Sequence, residues 1–127
     1  MAKSEKQKLK LLYIIQCLME KTDEEHAVTT QEIIDYLALQ GITAERKSIY
    51  TDIDLLIDFG MDIIKKPGRS GGYTLASRQF ELAELKLLVD AVQSSKFITT
   101  KKSRELIGKL ETLCSKYEAG QLHRQVV

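Results

Sequence analysis

Arg46, Lys47, Ser48, Tyr50 and Thr51 sit between positions 46 and 51 of the chain. A guanidinium, an amine, a phenol and two hydroxyls on two turns of helix can donate to phosphate oxygens and to the acceptor edges of bases. Thr43, just upstream, is a plausible N-cap; the helix end behind it would offer free amides and a positive dipole end to a phosphate. Arg46 suits a guanine or a phosphate equally, and Glu45 suits either a cytosine amino group or the first turn of a helix. A second cluster lies in Lys65-Lys66-Pro67-Gly68-Arg69-Ser70-Gly71-Gly72. There Lys65, Lys66 and Arg69 ride on a glycine-rich loop that can approach flanking phosphates or a minor groove. Lys3, Lys6, Lys8 and Lys10 can extend this basic footprint as an arm.

The net charge of +1 conceals this arrangement. Residues 1–21 carry +3, residues 22–64 carry −8, residues 65–78 carry +4 and residues 79–127 carry +2. Local basic surface, and not net charge, is what a polyanion meets.

Other chemistry finds little support. Asp54 and Asp58 are four apart, but no His or Cys joins them as metal ligands, so they read as charged surface. His26 falls in a loop and His123 near the end, without the spacing of a zinc site or a nucleophile–base pair. The loop at Gly68 to Gly72 lacks the Gly-Lys-Ser/Thr ending of a phosphate-binding loop and reads as a turn. Cys17 and Cys114 fall at core-like positions and read as buried thiols. No catalytic constellation, cofactor site or metal site is expected.

The elements that must position these residues follow from periodicity. Apolar residues make up 43% of the chain and charged residues 29%, enough to bury a core. Residues 6–21 form a first helix, apolar nearly all round, which must be central or pack one face on a partner chain. Thr29-Thr30-Gln31-Glu32 fits a capping box that opens a second helix to about Gln40. Gly41 suits the left-handed position of a turn, and Ile42 plugs the core beneath it. The third helix runs from about Ala44 to Phe59, with Ile49, Ile53 and Leu56 inward and Lys47, Tyr50, Thr51, Asp54 and Asp58 outward. Residues 61–64 and 73–75 form a hairpin around the basic loop. A fourth helix starts near Glu81. A fifth runs from a Thr100 cap through Tyr117 to Gly120, and residues 125–127 resemble the start of a strand. The expected fold is mainly α with a small β-hairpin: a winged helix-turn-helix over residues 1–76, followed by two linker helices over residues 77–127.

The run Arg46-Lys47-Ser48-Ile49-Tyr50-Thr51-Asp52-Ile53-Asp54-Leu55-Leu56, then Phe59-Gly60 and Gly71-Gly72-Tyr73, resembles the N-terminal part of WYL-domain transcriptional regulators, bacterial proteins of the deoxyribose-repressor type. The resemblance covers roughly Lys6 to Leu75. It implies a winged-helix DNA-binding domain, with Asp52 structural and Arg46 to Thr51 on the DNA side. Two departures stand out. Thr51 occupies a position that is usually basic in that family, and the chain has no Trp and no effector-sensing C-terminal half. A fragment of a longer regulator is therefore expected.

The expected function is sequence-specific binding of double-stranded DNA by a transcriptional regulator, with the third helix in the major groove and the wing on the flanking backbone. The fourth and fifth helices would pair two copies into a homodimer. An effector ligand is not expected on this fragment. The alternative is a winged-helix protein–protein interaction module, favoured by the acidic middle segment. With no membrane-length apolar run and no export signal, a cytoplasmic protein is expected.

Overall fold

The computed structural model describes residues 2–68 and 71–126, with side chains from residue 6 onward. Arg69, Ser70 and Val127, and the side chain of Lys3, lie outside the described residues. Among those described are six helices, α1 (Ala2–Lys21), α2 (Thr30–Leu39), α3 (Arg46–Phe59), α4 (Leu82–Ser94), α5 (Thr100–Glu111) and α6 (Lys116–Gln125). Two strands, β1 (Ile63–Lys66) and β2 (Gly72–Leu75), pair antiparallel, with Ile63 opposite Leu75 and Lys66 opposite Gly72. The protein is mainly helical with one small hairpin. It divides into two compact units, Met1–Ser77 and Arg78–Val127.

In the first unit, Ile14, Cys17 and Leu18 of α1 are fully buried with Ile33 and Leu37 of α2 and Ile49 and Ile53 of α3. Each such aliphatic side chain contributes about 1.5–3 kcal/mol on leaving water. Burial pushes the Cys17 thiol up to about 11, so it stays protonated and unreactive at neutral pH. The capping box at Thr29 is present: the Thr29 hydroxyl accepts the Glu32 amide at 3.1 Å, and Glu32 accepts the Thr29 amide at 3.1 Å. Gly41 adopts φ +78° in the α2–α3 turn, and Ile42 is buried behind it with its amide on the Leu37 carbonyl at 3.0 Å.

The start of α3 differs from expectation. Thr43 does not cap it; Glu45 is the N-cap residue and its side chain makes no capping bond. Ile42 is buried and Ala44 packs on the same core while Thr43 between them is exposed. That alternation is the period of extended chain, so the helix cannot begin before Arg46. β1 also starts two residues later than the apolar run suggests, and carries Lys65 and Lys66 within the strand.

Val28 adds a strand position that the sequence did not announce. Its amide donates to the Tyr73 carbonyl at 3.0 Å and its carbonyl accepts from the Tyr73 amide at 2.8 Å. Thr22 ties the same edge to α1: its hydroxyl donates to the Leu18 carbonyl at 2.7 Å and accepts the Leu75 amide at 3.0 Å. A hairpin alone is marginal in water, and these bonds fix it to the helices. The close approach of Val28 leaves no room at Gly72, where a Cβ would collide with the Val28 carbonyl oxygen. Gly72→Ala is therefore expected to destabilise the first unit by about 2 kcal/mol, with loss of hairpin amide protection in hydrogen exchange as the readout.

The second unit packs Leu85 and Val89 of α4, Ile107 of α5, Cys114 of the turn before α6 and Leu122 of α6 into its own core. Three helices stand here where two were expected. The fifth is interrupted after Glu111, and Ser115 caps α6 by accepting the Glu118 amide at 3.1 Å. Ser115 followed by Glu118 is a start signal that a continuous reading overrode. Thr99, not Thr100, caps α5, accepting the Lys102 amide at 3.1 Å. Tyr117, expected inward, is exposed; of the residues expected to begin a strand, Gln125 ends α6, Val126 is its extended C-cap and Val127 lies outside the described residues. There the Gln125 amide group reaches α4, donating to the Lys86 carbonyl at 3.0 Å and to Asp90 at 2.6 Å.

Candidate nucleic-acid interface

The outer face of α3 carries Lys47, Tyr50 and Thr51, Arg46 flanks it, and all four are exposed. Tyr50 keeps 46% of its surface accessible, a large value for a phenol on a helix whose opposite side is wholly buried at Ile49 and Ile53. Amphipathicity alone orients this face: positions 49, 53 and 56 anchor one side, and 47, 50, 51 and 54 fall on the other. With no side-chain cap at Glu45, the amides of Arg46 and Lys47 have no acceptor among the described residues and point out of the helix start.

α1 holds this helix in place. Lys10 is buried, and its amine meets Asp52 Oδ2 at 2.8 Å and donates to the Ser48 hydroxyl at 2.7 Å. Lys10 is thus no part of a basic arm. Ser48 is half-buried, and its hydroxyl also donates to the Glu45 carbonyl at 2.9 Å. The hydroxyl expected to face outward is occupied in positioning α3. Gln7 adds a longer contact, Nε2 to the Thr43 carbonyl at 3.4 Å; Thr43 itself is exposed in the turn before α3.

The remaining residues have partners of their own. Arg46 donates to Gln31 of α2 at 3.4 Å. The Thr51 hydroxyl donates to the Lys47 carbonyl at 3.2 Å, so its proton is spent within the helix. Lys65 of the hairpin reaches across to Asp54 of α3 at 2.8 Å. That hydrogen bond, and the Asp54 charge behind it, raise the Lys65 pKa and keep it protonated. Both groups are exposed, so the pair adds little stability. Its consequence is electrostatic: the acidic stripe on the outer face begins with a neutralised carboxylate. Lys66 is exposed on the same strand. Arg69 lies outside the described residues.

Residues 12–68 match the family model of the FokI D3 domain. The matched region runs from Leu12 in α1 to Gly68 after β1 and contains the whole of α2 and α3. No curated protein and no solved structure matches the chain.

Sequence reasoning missed both ion pairs. Lys10 stands four residues before Ile14, one helical turn on the same inward face, and that spacing was the available signal. The Lys65–Asp54 pair joins residues on two elements whose mutual placement no local pattern encodes. No described helix is long and apolar enough to cross a membrane.

Proposed function

We propose that the first unit binds double-stranded DNA, with the N-terminal turns of α3 in the major groove and the hairpin on the flanking backbone. The observation that carries this reading is the exposed set Arg46, Lys47, Tyr50 and Thr51 on a helix clamped from behind by Lys10. The match to the FokI D3 domain, a DNA-binding domain related to the winged-helix fold, supports it. Lys47 and Tyr50 read base edges, Arg46 takes a guanine or a phosphate, and the Thr51 methyl suits a thymine methyl. Lys66 contacts phosphate, joined by Arg69. Thr43 contributes at the backbone of the turn, and Ser48 acts by positioning. Lys65 neutralises Asp54 and so lets the middle of α3 approach the polyanion.

The finer reading is a transcriptional regulator acting as a homodimer on paired half-sites, as the resemblance to WYL-domain regulators implies. The second unit then serves as a linker, and no effector binds this chain. The protein has no enzymatic role and works in the cytoplasm.

Fluorescence anisotropy with a duplex selected from a random pool tests the DNA reading. With about four phosphates neutralised, log affinity falls with log salt at a slope near −3.6. Asp54→Asn removes the one carboxylate in the upper stripe and frees Lys65, so affinity rises several-fold and the slope steepens by about one. A salt-independent interaction, or none with any duplex, overturns the reading.

A further inference from the structure

We propose that the outer face of α5, with Phe97 beside its start, binds single-stranded nucleic acid, the phosphates lying on its lysines and an unpaired base on the Phe97 ring. Residues 96–109 hold five cations, Lys96, Lys101, Lys102, Arg104 and Lys109, against the one carboxylate of Glu105, a net +4. That equals the charge of the basic block at the hairpin, and it is hidden in the +2 of residues 79–127 as a whole. Lys102 meets Glu105 at 3.7 Å. Lys96, Lys101, Arg104 and Lys109 are exposed, and among the described residues none of the four has a carboxylate within ion-pair distance.

Helical geometry gathers these groups. Ile107 is buried and Leu110 half-buried in the core of the second unit. At about 100° per residue, Lys101, Gly108 and Lys109 fall on the opposite side, with Lys102 at one edge and Arg104 at the other. Gly108 is an independent observation. A glycine inside a helix weakens it relative to any residue but proline. Nothing in this chain uses the space: a Cβ at Gly108 would meet no atom within 4 Å. A helix that gives up a side chain among cations, with nothing of its own in the gap, lets a sugar–phosphate backbone lie against it.

Phe97 chooses the class of polyanion. Its ring is 99% exposed in the turn ahead of α5, next to Lys96 and two residues before the Thr99 cap. Behind that cap the amides of Thr100 and Lys101 have no acceptor among the described residues and suit a phosphate. A bare aromatic ring stacks on an unpaired base at no cost to the nucleic acid, whereas entering a duplex means opening a base step. A lipid surface asks for apolar side chains beside the cations, and α5 exposes no large apolar residue of its own. The surface lies wholly within the second unit and does not depend on the reading of α3.

The chain has no tryptophan, so Phe97→Trp gives the full-length protein one local reporter. Titrated with an oligothymidylate of about ten nucleotides, its indole emission is expected to fall at least twofold as a base stacks on it. About three phosphates are neutralised, so log affinity falls with log salt at a slope near −2. An abasic oligomer of the same length binds about tenfold more weakly and does not quench. Adding Lys101→Ala and Lys109→Ala weakens the oligothymidylate about tenfold and flattens the slope by about 1.4, with circular dichroism unchanged because both residues are exposed. Gly108→Leu raises the thermal midpoint and yet weakens binding several-fold. Absent quenching, or quenching untouched by the lysine substitutions, overturns the proposal. So does tighter binding to phosphatidylserine vesicles or to a duplex in this emission assay. The reporter senses the second unit alone, so its failure leaves the duplex reading of α3 standing, and failure of that reading leaves this surface.

Discussion

Lys10→Met is expected to destabilise the first unit by about 3 kcal/mol, more than any surface substitution on the same helix. Methionine keeps most of the stem volume, so the loss is not one of packing. It comes from Asp52, whose side chain is only 15% exposed and whose counter-charge 2.8 Å away is removed. A carboxylate left in a nearly dry site has lost its water and gains nothing in return. The double change Lys10→Met/Asp52→Leu removes the stranded charge as well and is expected to recover most of the deficit, because a buried pair and two apolar groups of similar size are nearly equivalent in stability. Native-state hydrogen exchange at α1 and α3 amides reads the first unit separately from the second. A single substitution costing under 0.5 kcal/mol would mean that the Lys10–Asp52 contact is not maintained in solution.

The recovery has a functional corollary. An apolar pair restores stability without restoring the hydrogen bond from Lys10 to Ser48, which fixes the first turn of α3. The doubly substituted chain is a folded protein with a less firmly held outer face. Clamping a helix by a charge pair is costly in desolvation and no more stabilising than leucine against methionine; what it adds is a defined position. A helix meant to set side chains against another molecule within a few tenths of an ångström has reason to carry it.

The order and type of the elements were largely written in local pattern. The Thr29 capping box, the Gly41 turn with Ile42 beneath it and the glycine-rich hairpin each rest on residues adjacent in sequence, and each stands in the structure. Boundaries went astray where burial overrode a local preference. Thr43 is a better cap than Glu45 by type, but Ile42 and Ala44 must both face the core, and that keeps the chain extended to Glu45. Leu106 to Tyr117 reads as one apolar face, yet Ser115 opens a new helix, because the core of the second unit is closed by Leu122 on a separate segment. The outer residues of α3 were legible because amphipathicity alone sorts them. Their surroundings were not: Lys10 with Asp52 and Lys65 with Asp54 join residues that only the tertiary fold brings together. The acidic middle segment looked like an obstacle to a polyanion, and the fold answers part of it by neutralising Asp54 and burying Asp52 against cations.

Lys47→Ala combined with Tyr50→Ala is expected to lower affinity for a selected duplex roughly 100-fold while leaving affinity for unrelated duplex within a few-fold. The magnitude follows from two base contacts at about 1.4 kcal/mol each, the lower part of the range for a groove contact. Both side chains are exposed and neither joins the core, so the circular dichroism and thermal midpoint stay close to those of the wild-type chain. The separation of the two affinities is the decisive part. Lys66→Ala, by contrast, removes a phosphate contact: it weakens every duplex alike and reduces the salt slope by about one, without touching discrimination. Competition anisotropy with selected and scrambled duplexes reads both quantities. Equal loss on both duplexes from the α3 pair would make Lys47 a backbone contact and move sequence reading elsewhere. Unchanged discrimination would remove α3 from the groove altogether, since Lys47 and Tyr50 are the side chains assigned to the bases.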